Sequence, residues 1–102
     1  MARFERKFPL LWATLLCGGK KIRVENFNTV DEMKSFMVGV KLQNVEYTMF
    51  LSAMDKTGKA SSVCVKIGKN RMQIPYRMML KEADCEILKM IQNARCRLPA
   101  TY

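Results

Sequence analysis

The sequence predicts an α+β fold, a small, mostly antiparallel sheet of three to four strands with helices packed on one face. Hydrophobic residues alternate with period two over residues 45–52 and 62–67, which is typical of half-buried strands. They recur at helical spacing over residues 30–40 and 79–94. The length of 102 residues and a hydrophobic content of 49% indicate one globular domain. The predicted element order is α-β-α-β-β-β-α.

The first predicted element is an apolar helix within an N-terminal arm, residues 1–19. Residues 9–17 are hydrophobic on nearly every side, Pro9 suits the first position of a helix, and Gly18-Gly19 suits its end. A helix that is apolar all round must be buried, either in the core or against a second copy of the chain. The candidate interface residues for such a homodimer are Leu11, Trp12 and Leu15.

A signal peptide is the alternative interpretation of the N-terminus, because basic residues precede the apolar run. The run is too short to span a bilayer, which takes about 20 residues, so no membrane span is expected. The four cysteines form no C-x-x-C pair, and the chain is long enough to fold without disulfide bonds. A two-disulfide framework remains open, but reduced thiols in the cytoplasm are the favoured interpretation.

The predicted α+β core covers residues 20–97. Lys20–Glu25 alternates as a strand, with Ile22 and Val24 on one face. Thr29-x-x-Glu32 is a capping-box pattern and begins a helix over about residues 30–38.

A hairpin is the clearest local prediction. Two alternating runs flank the sequence Asp55-Lys-Thr-Gly-Lys59, which suits a turn with Gly58 in the left-handed region. The resulting register pairs Leu51 with Val63, Met49 with Val65 and Tyr47 with Ile67. One face of the hairpin is then apolar, and the other displays Thr48, Phe50, Ser62, Cys64 and Lys66.

The C-terminal part is predicted to form a short third strand, a long helix and a tail. Arg71–Pro75 alternates and follows a second turn at residues 68–70. The helix begins between Tyr76 and Glu82, ends at about Cys96, and has an apolar stripe that faces the core. Residues 98–102 form the tail.

The positive charge of the chain is concentrated in one stretch. Between Lys56 and Lys81 there are seven basic residues and no acidic one, whereas the whole chain has 18 basic and 9 acidic residues. Concentrated positive charge is typical of surfaces that bind polyanions. The predicted phosphate-binding residues are Lys56, Lys59, Lys66, Lys69, Arg71, Arg77 and Lys81. The competing interpretation is a solvated basic surface whose lysines protect sheet edges.

Two aromatic residues accompany this stretch. Phe50, beside Lys66 on the hairpin, and Tyr76, beside Arg77, are candidate platforms on which unpaired bases stack. These observations predict a small, basic, non-enzymatic protein that binds nucleic acid or regulates a process on it.

The alternative is a small interaction module or inhibitor, of the kind viruses and mobile elements direct against host defences. It would dock on an acidic or nucleic-acid-binding surface of a larger protein or nucleoprotein complex, and its basic stretch would supply charge complementarity. Its small size, abundant methionine and apolar N-terminal run favour this alternative.

An enzyme is the least favoured interpretation. The chain has no histidine, which removes the commonest general base and the commonest metal ligand. No arrangement of Lys, Tyr or carboxylates in the sequence suggests a catalytic site. We therefore expect no cofactor and no metal.

Overall fold

The computed structural model describes residues 8–68 and 75–95, the last two of them by backbone alone. Within these residues the chain forms four strands and two helices in the order β-β-α-β-β-α. The elements are β1 Leu10–Cys17, β2 Lys20–Phe27, α1 Val30–Leu42, β3 Tyr47–Met54, β4 Ala60–Ile67 and α2 Tyr76–Arg95. The predicted α+β class is confirmed.

The four strands form one antiparallel sheet in the order β2-β1-β3-β4. Helix α1 packs on β1 and β2, α2 packs on β3 and β4, and the two helices contact each other. The helices therefore share one side of the sheet, which we call the helix layer. The opposite side, which we call the open face, presents side chains that are partly or fully exposed along most of β4 and β2.

The N-terminal helix predicted for residues 9–17 is wrong, because this run forms β1, a central strand of the sheet. Periodicity alone does not distinguish a short buried helix from a buried strand. Gly18 and Gly19, with φ of 60° and 81°, form the two-residue turn into β2 rather than the end of a helix. Residues 1–7 of the predicted arm lie outside the described residues.

The strand predicted at Lys20–Glu25 is confirmed and continues to Phe27 as β2. Its register with β1 shifts between Leu15 and Leu16, which marks a bulge. Beyond the bulge, Arg23 and Glu25 lie opposite core residues of β1, and Val24 lies on the open face. The strand is at the edge of the sheet, and Val24 is accordingly 46% exposed.

Helix α1 begins where its capping box predicts and runs beyond the predicted end at residue 38 to Leu42. The Thr29 hydroxyl accepts a hydrogen bond from the Glu32 backbone N–H at 3.1 Å, and the Glu32 carboxylate accepts one from the Asn28 N–H. These bonds satisfy N–H groups that have no partner within the helix. The interior Gly39 does not end the helix, because packing against α2 and the sheet outweighs its low helix propensity.

The predicted β3–β4 hairpin is confirmed residue by residue. Leu51 pairs with Val63, Met49 with Val65 and Tyr47 with Ile67. In the turn, Gly58 has φ of 86°, and the Asp55 N–H donates to the Lys59 carbonyl at 2.9 Å. The Asp55 carboxylate accepts from the backbone N–H groups of Thr57 and Lys59, which fixes the turn.

The long C-terminal helix is also confirmed as α2. In its first turn, the backbone N–H groups of Met78 and Met79 donate hydrogen bonds to the Pro75 carbonyl. Its predicted core stripe is buried at Met79, Ala83, Ile87 and Met90. Four of the five residues of the predicted third strand at Arg71–Pro75, residues 71–74, lie outside the described residues. Pro75 itself precedes the helix and is not in a strand.

The described elements make two ββα units, although the sequence shows no repeat. The pairing of β1 with β3 is centred on Ala13 and Leu51. In element order and strand pairing, β1, β2 and α1 of the first unit correspond to β3, β4 and α2 of the second. The core is built from both units, and its largest fully buried side chains are Met33 and Met37 of α1, Met49 and Leu51 of β3, and Ile87 and Met90 of α2.

Candidate functional site

The open face is built by cross-strand rows of side chains, because paired residues of a sheet point to the same side. One row runs from β2 to β4 through Lys21, Leu16, Thr48 and Lys66. The next row consists of Val24, Thr14, Phe50 and Cys64. The third consists of Asn26, Trp12, Ser52 and Ser62, and a fourth, shorter row joins Leu10, Met54 and Ala60.

Two aromatic side chains occupy the centre of this face. Trp12 on β1 pairs with Ser52, and Phe50 on β3 pairs with Thr14, so the aromatic residues are diagonal neighbours. Such neighbours lie about 7–8 Å apart. Both side chains are partly exposed. Beside them, the hydroxyls of Ser52 and Ser62 are hydrogen-bonded at 2.8 Å, which ties β3 to β4.

The charge of the open face is positive. Lys21 and Lys66 stand at the two ends of one row, about 14 Å apart across three strand spacings. Lys56 and Lys59 are exposed in the β3–β4 turn, about 23 Å along the hairpin from Lys66. The four rows contain no acidic residue.

The helix layer has a nearly balanced charge instead. Its described acidic side chains are Glu25, Asp31, Glu32, Glu82, Asp84 and Glu86, and its described basic side chains are Lys20, Arg23, Lys34, Lys41, Arg77, Lys81 and Lys89. The basic side chains therefore exceed the acidic ones by one within this layer. The open face and the β3–β4 turn carry four lysines against one carboxylate, that of Asp55, so their excess of positive charge is larger.

Ion pairs account for several of these acidic groups. The Lys34 Nζ atom of α1 lies 2.6 Å from the Asp84 Oδ1 atom of α2. The hydrogen bond to this carboxylate raises the pKa of Lys34 above its usual value of 10.5. The Lys41 Nζ atom, in a side chain that is 2% exposed, lies 3.0 Å from the Glu82 Oε2 atom. Both pairs join the two helices.

The residues predicted to bind phosphate are divided between the two sides of the molecule. Lys56, Lys59 and Lys66 belong to the hairpin that contributes to the open face. Arg77 and Lys81 are exposed on α2, in the helix layer. Lys69 and Arg71 lie outside the described residues. Within the described residues, the stretch is therefore continuous in sequence but divided between the two sides of the sheet.

The other predicted site residues are divided in the same way. Phe50 lies on the open face, whereas Tyr76 is 58% exposed in the first turn of α2, in the helix layer. Leu11 and Leu15, predicted to lie at an interface, are core residues and are 6% and 4% exposed. Among the three predicted interface residues, only Trp12 lies on the open face.

The sequence did not predict that Trp12 and Lys21 belong to this face. Trp12 was placed in a helix, and Lys21 was not among the predicted phosphate-binding residues. One signal was present, since two glycines between two apolar or alternating runs are typical of a hairpin turn. A hairpin at Gly18-Gly19 places Trp12 and Lys21 on one face of neighbouring strands.

An open cleft of about 730 Å³ adjoins the Lys66 end of the open face. It is lined by the Gly18-Gly19 turn, by residues 45–48 and by the end of β4. Glu46 is part of this lining, so one carboxylate lies near Lys66 at the border of the open face.

The described residues contain no group of three or more Cys, Asp or Glu that could hold a metal ion. In the same part of the chain, neither helix has the length and apolarity needed to cross a bilayer. Cys17, Cys64 and Cys85 are free and exposed. Comparison with protein-family models, with curated proteins and with solved structures found no match to this chain.

Proposed function

We propose that this chain is a small, non-enzymatic nucleic-acid-binding protein. The observation that carries the proposal is the separation of charge between the two sides of the sheet. The helix layer nearly balances its acidic and basic groups, whereas the open face and the β3–β4 turn carry Lys21, Lys56, Lys59 and Lys66 against one carboxylate in the turn, Asp55, and the rows themselves contain no acidic residue.

Phosphate binding fits this separation of charge. Contacts to a phosphate backbone need positive charge at suitable spacing and little further geometry. None of the ion pairs found among the described residues uses these four lysines. Their ammonium groups are exposed, so a polyanion that binds them displaces only counterions and water.

Binding to generic nucleic acid at low salt tests the proposal. Labelled single- and double-stranded DNA and RNA are titrated with the full chain at two salt concentrations, and fluorescence anisotropy is recorded. The proposal expects binding that weakens as salt increases. If none of the four nucleic acids binds at the lower salt concentration, the proposal is wrong.

A protein-interaction module is the second candidate, and the exposed apolar residues of β2 favour it. Ile22 and Val24 are 52% and 46% exposed on this edge strand. Exposed apolar side chains on a sheet edge are a feature of protein contacts. A stoichiometric partner that is retained after nuclease treatment, and lost with Val24→Asp, would favour this candidate over the first.

A further inference from the structure

The geometry points to an unpaired nucleic-acid strand as the ligand, bound across the open face with bases stacked on Trp12 and Phe50. This inference rests on the proposed function and adds two elements to it. One is the class of ligand, a single strand rather than a duplex. The other is the place of binding, which is the open face rather than the helix layer.

The position of the two aromatic residues supports stacking. They lie on β1 and β3, the two central strands, and both are partly exposed although each has neighbouring strands on both sides. Sheets that bind single-stranded RNA present aromatic residues in this way, and each aromatic ring accepts one base. Diagonal neighbours at about 7–8 Å are close enough for two bases of one strand.

The surroundings of the aromatic pair suit the backbone of such a strand. Lys21 and Lys66 lie at one end of the open face, and Lys56 and Lys59 lie in the turn at the other end. Between these ends, the rows offer the hydroxyls of Thr14, Thr48 and Ser62 and the amide of Asn26 as hydrogen-bond partners. A strand that crosses the face therefore meets stacking surfaces in the middle and positive charge at both ends.

A duplex does not fit this surface equally well. Its bases are paired and stacked on one another, so they cannot reach Trp12 and Phe50 without unpairing. The duplex would gain only phosphate contacts, which the exposed lysines of the helix layer also offer. If the ligand binds on the open face through Trp12 and Phe50, a single strand should therefore bind more tightly than a duplex.

The chain contains its own reporters for the test. Trp12 is the single tryptophan, so intrinsic tryptophan fluorescence comes from the open face alone. Cys64 is exposed on the open face, and Cys85 is exposed on α2 in the helix layer. A thiol reagent followed by peptide mapping therefore compares the two sides of one molecule.

The experiment titrates the full chain with single-stranded oligothymidine, with oligouridine and with a duplex of equal length at the same salt concentration. We expect either single strand to quench Trp12 fluorescence and to protect Cys64, but not Cys85, from the thiol reagent. We expect the duplex to bind about tenfold or more weakly. Phe50→Leu should weaken single-strand binding by roughly tenfold, whereas the matched control Tyr76→Leu should leave it unchanged.

The outcomes separate this inference from the proposed function. Equal binding of duplex and single strand, with no change at Trp12 or Cys64, would overturn the inference and leave nucleic-acid binding intact. Absence of any binding would overturn both. Protection of Cys64 that rises with protein concentration alone, together with a doubled mass in light scattering, would assign the open face to a homodimer and overturn the inference. The Cys64 measurement on unmodified protein decides the outcome even if Phe50→Leu fails to fold.

Discussion

The salt dependence of single-strand binding follows from the number of lysines around the open face. Four are available, Lys21 and Lys66 on the face and Lys56 and Lys59 in the turn. Each phosphate contact to a single strand contributes about −0.7 to the slope of log affinity against log salt. Four contacts give a slope of about −3, so raising salt from about 50 to about 200 mM should weaken binding roughly 50-fold.

A pair of charge-matched variants tests whether the open face produces this slope. Lys66→Gln removes one positive charge from the open face, and Lys89→Gln removes the same charge from the exposed side of α2. We expect Lys66→Gln to make the slope less steep by about 0.7 and to weaken binding at low salt. Lys89 lies on the far side of the sheet, and salt screens exposed charges beyond about 10 Å at 0.1 M, so its variant should keep the slope.

Fluorescence anisotropy of a labelled single strand at four salt concentrations measures these slopes directly. Circular dichroism of each variant shows whether the fold is kept. We expect both variants to fold, because Lys66 and Lys89 are exposed on a strand and a helix. The reasoning would be refuted by equal changes of slope in the two variants, because binding would then depend on net charge rather than on one surface. A slope near zero in the unmodified chain would also refute it.

Three further predictions concern the fold. Glu82→Ala should lower the free energy of unfolding by about 3 kcal/mol, because it removes the carboxylate beside the buried ammonium of Lys41. Lys41→Met should lower it by less than about 1 kcal/mol, since the Glu82 carboxylate that remains is one-third exposed. Urea unfolding measures both changes. Gly19→Ala should destabilise the folded state by about 1 kcal/mol, because Gly19 has a φ of 81°, which alanine adopts with strain. Gly39→Ala should stabilise the folded state by about 0.5–1 kcal/mol, because alanine has a higher helix propensity than glycine inside α1. The two variants should therefore shift the midpoint of thermal unfolding in opposite directions. Because the pKa of Lys34 is raised in the folded state, its ion pair stabilises the fold fully below pH 10.5. The difference in unfolding free energy between the unmodified chain and Lys34→Met should therefore shrink as the pH rises through the higher folded pKa. Equal differences at neutral and strongly alkaline pH would contradict this.

The elements that could be predicted from sequence are those whose local signals agree with the tertiary structure. The hairpin has period-two alternation on both sides of a turn that needs Gly58, so its register follows from the sequence alone. The start of α1 follows from the Thr29 capping box, and α2 follows from its apolar stripe. In each case a local pattern has one structural solution.

The identity of β1 could not be derived in this way. Residues 9–17 are apolar at almost every position, so they contain no alternation that would exclude a helix. The strand is central and pairs on both sides, which makes its open-face side chains partly buried as well. A continuous apolar run is the pattern expected for such a strand. Its assignment depends on partners that are distant in sequence, β3 above all.

The arrangement of the basic residues was also beyond local reasoning. Lys66 and Arg77 are separated by eleven positions, yet they belong to opposite sides of the sheet. Charge density along the sequence does not report the layer to which an element belongs. Lys21, which is far from the basic stretch in sequence, shares a row with Lys66 because β1 and β3 pair between them.

Strand β1 links the stability of this protein to its proposed activity through the alternation of its side chains. Leu11, Ala13 and Leu15 are buried under the helices, whereas Trp12 and Thr14 face the proposed ligand. A large-to-small change at a buried position removes core contacts, which costs about 2–5 kcal/mol for Leu→Ala. A change at an outward position leaves those contacts in place. Substitutions at odd-numbered positions of β1 therefore affect stability, and those at even-numbered positions affect the proposed binding. A shift of the strand by one residue would destroy the core and the stacking surface together.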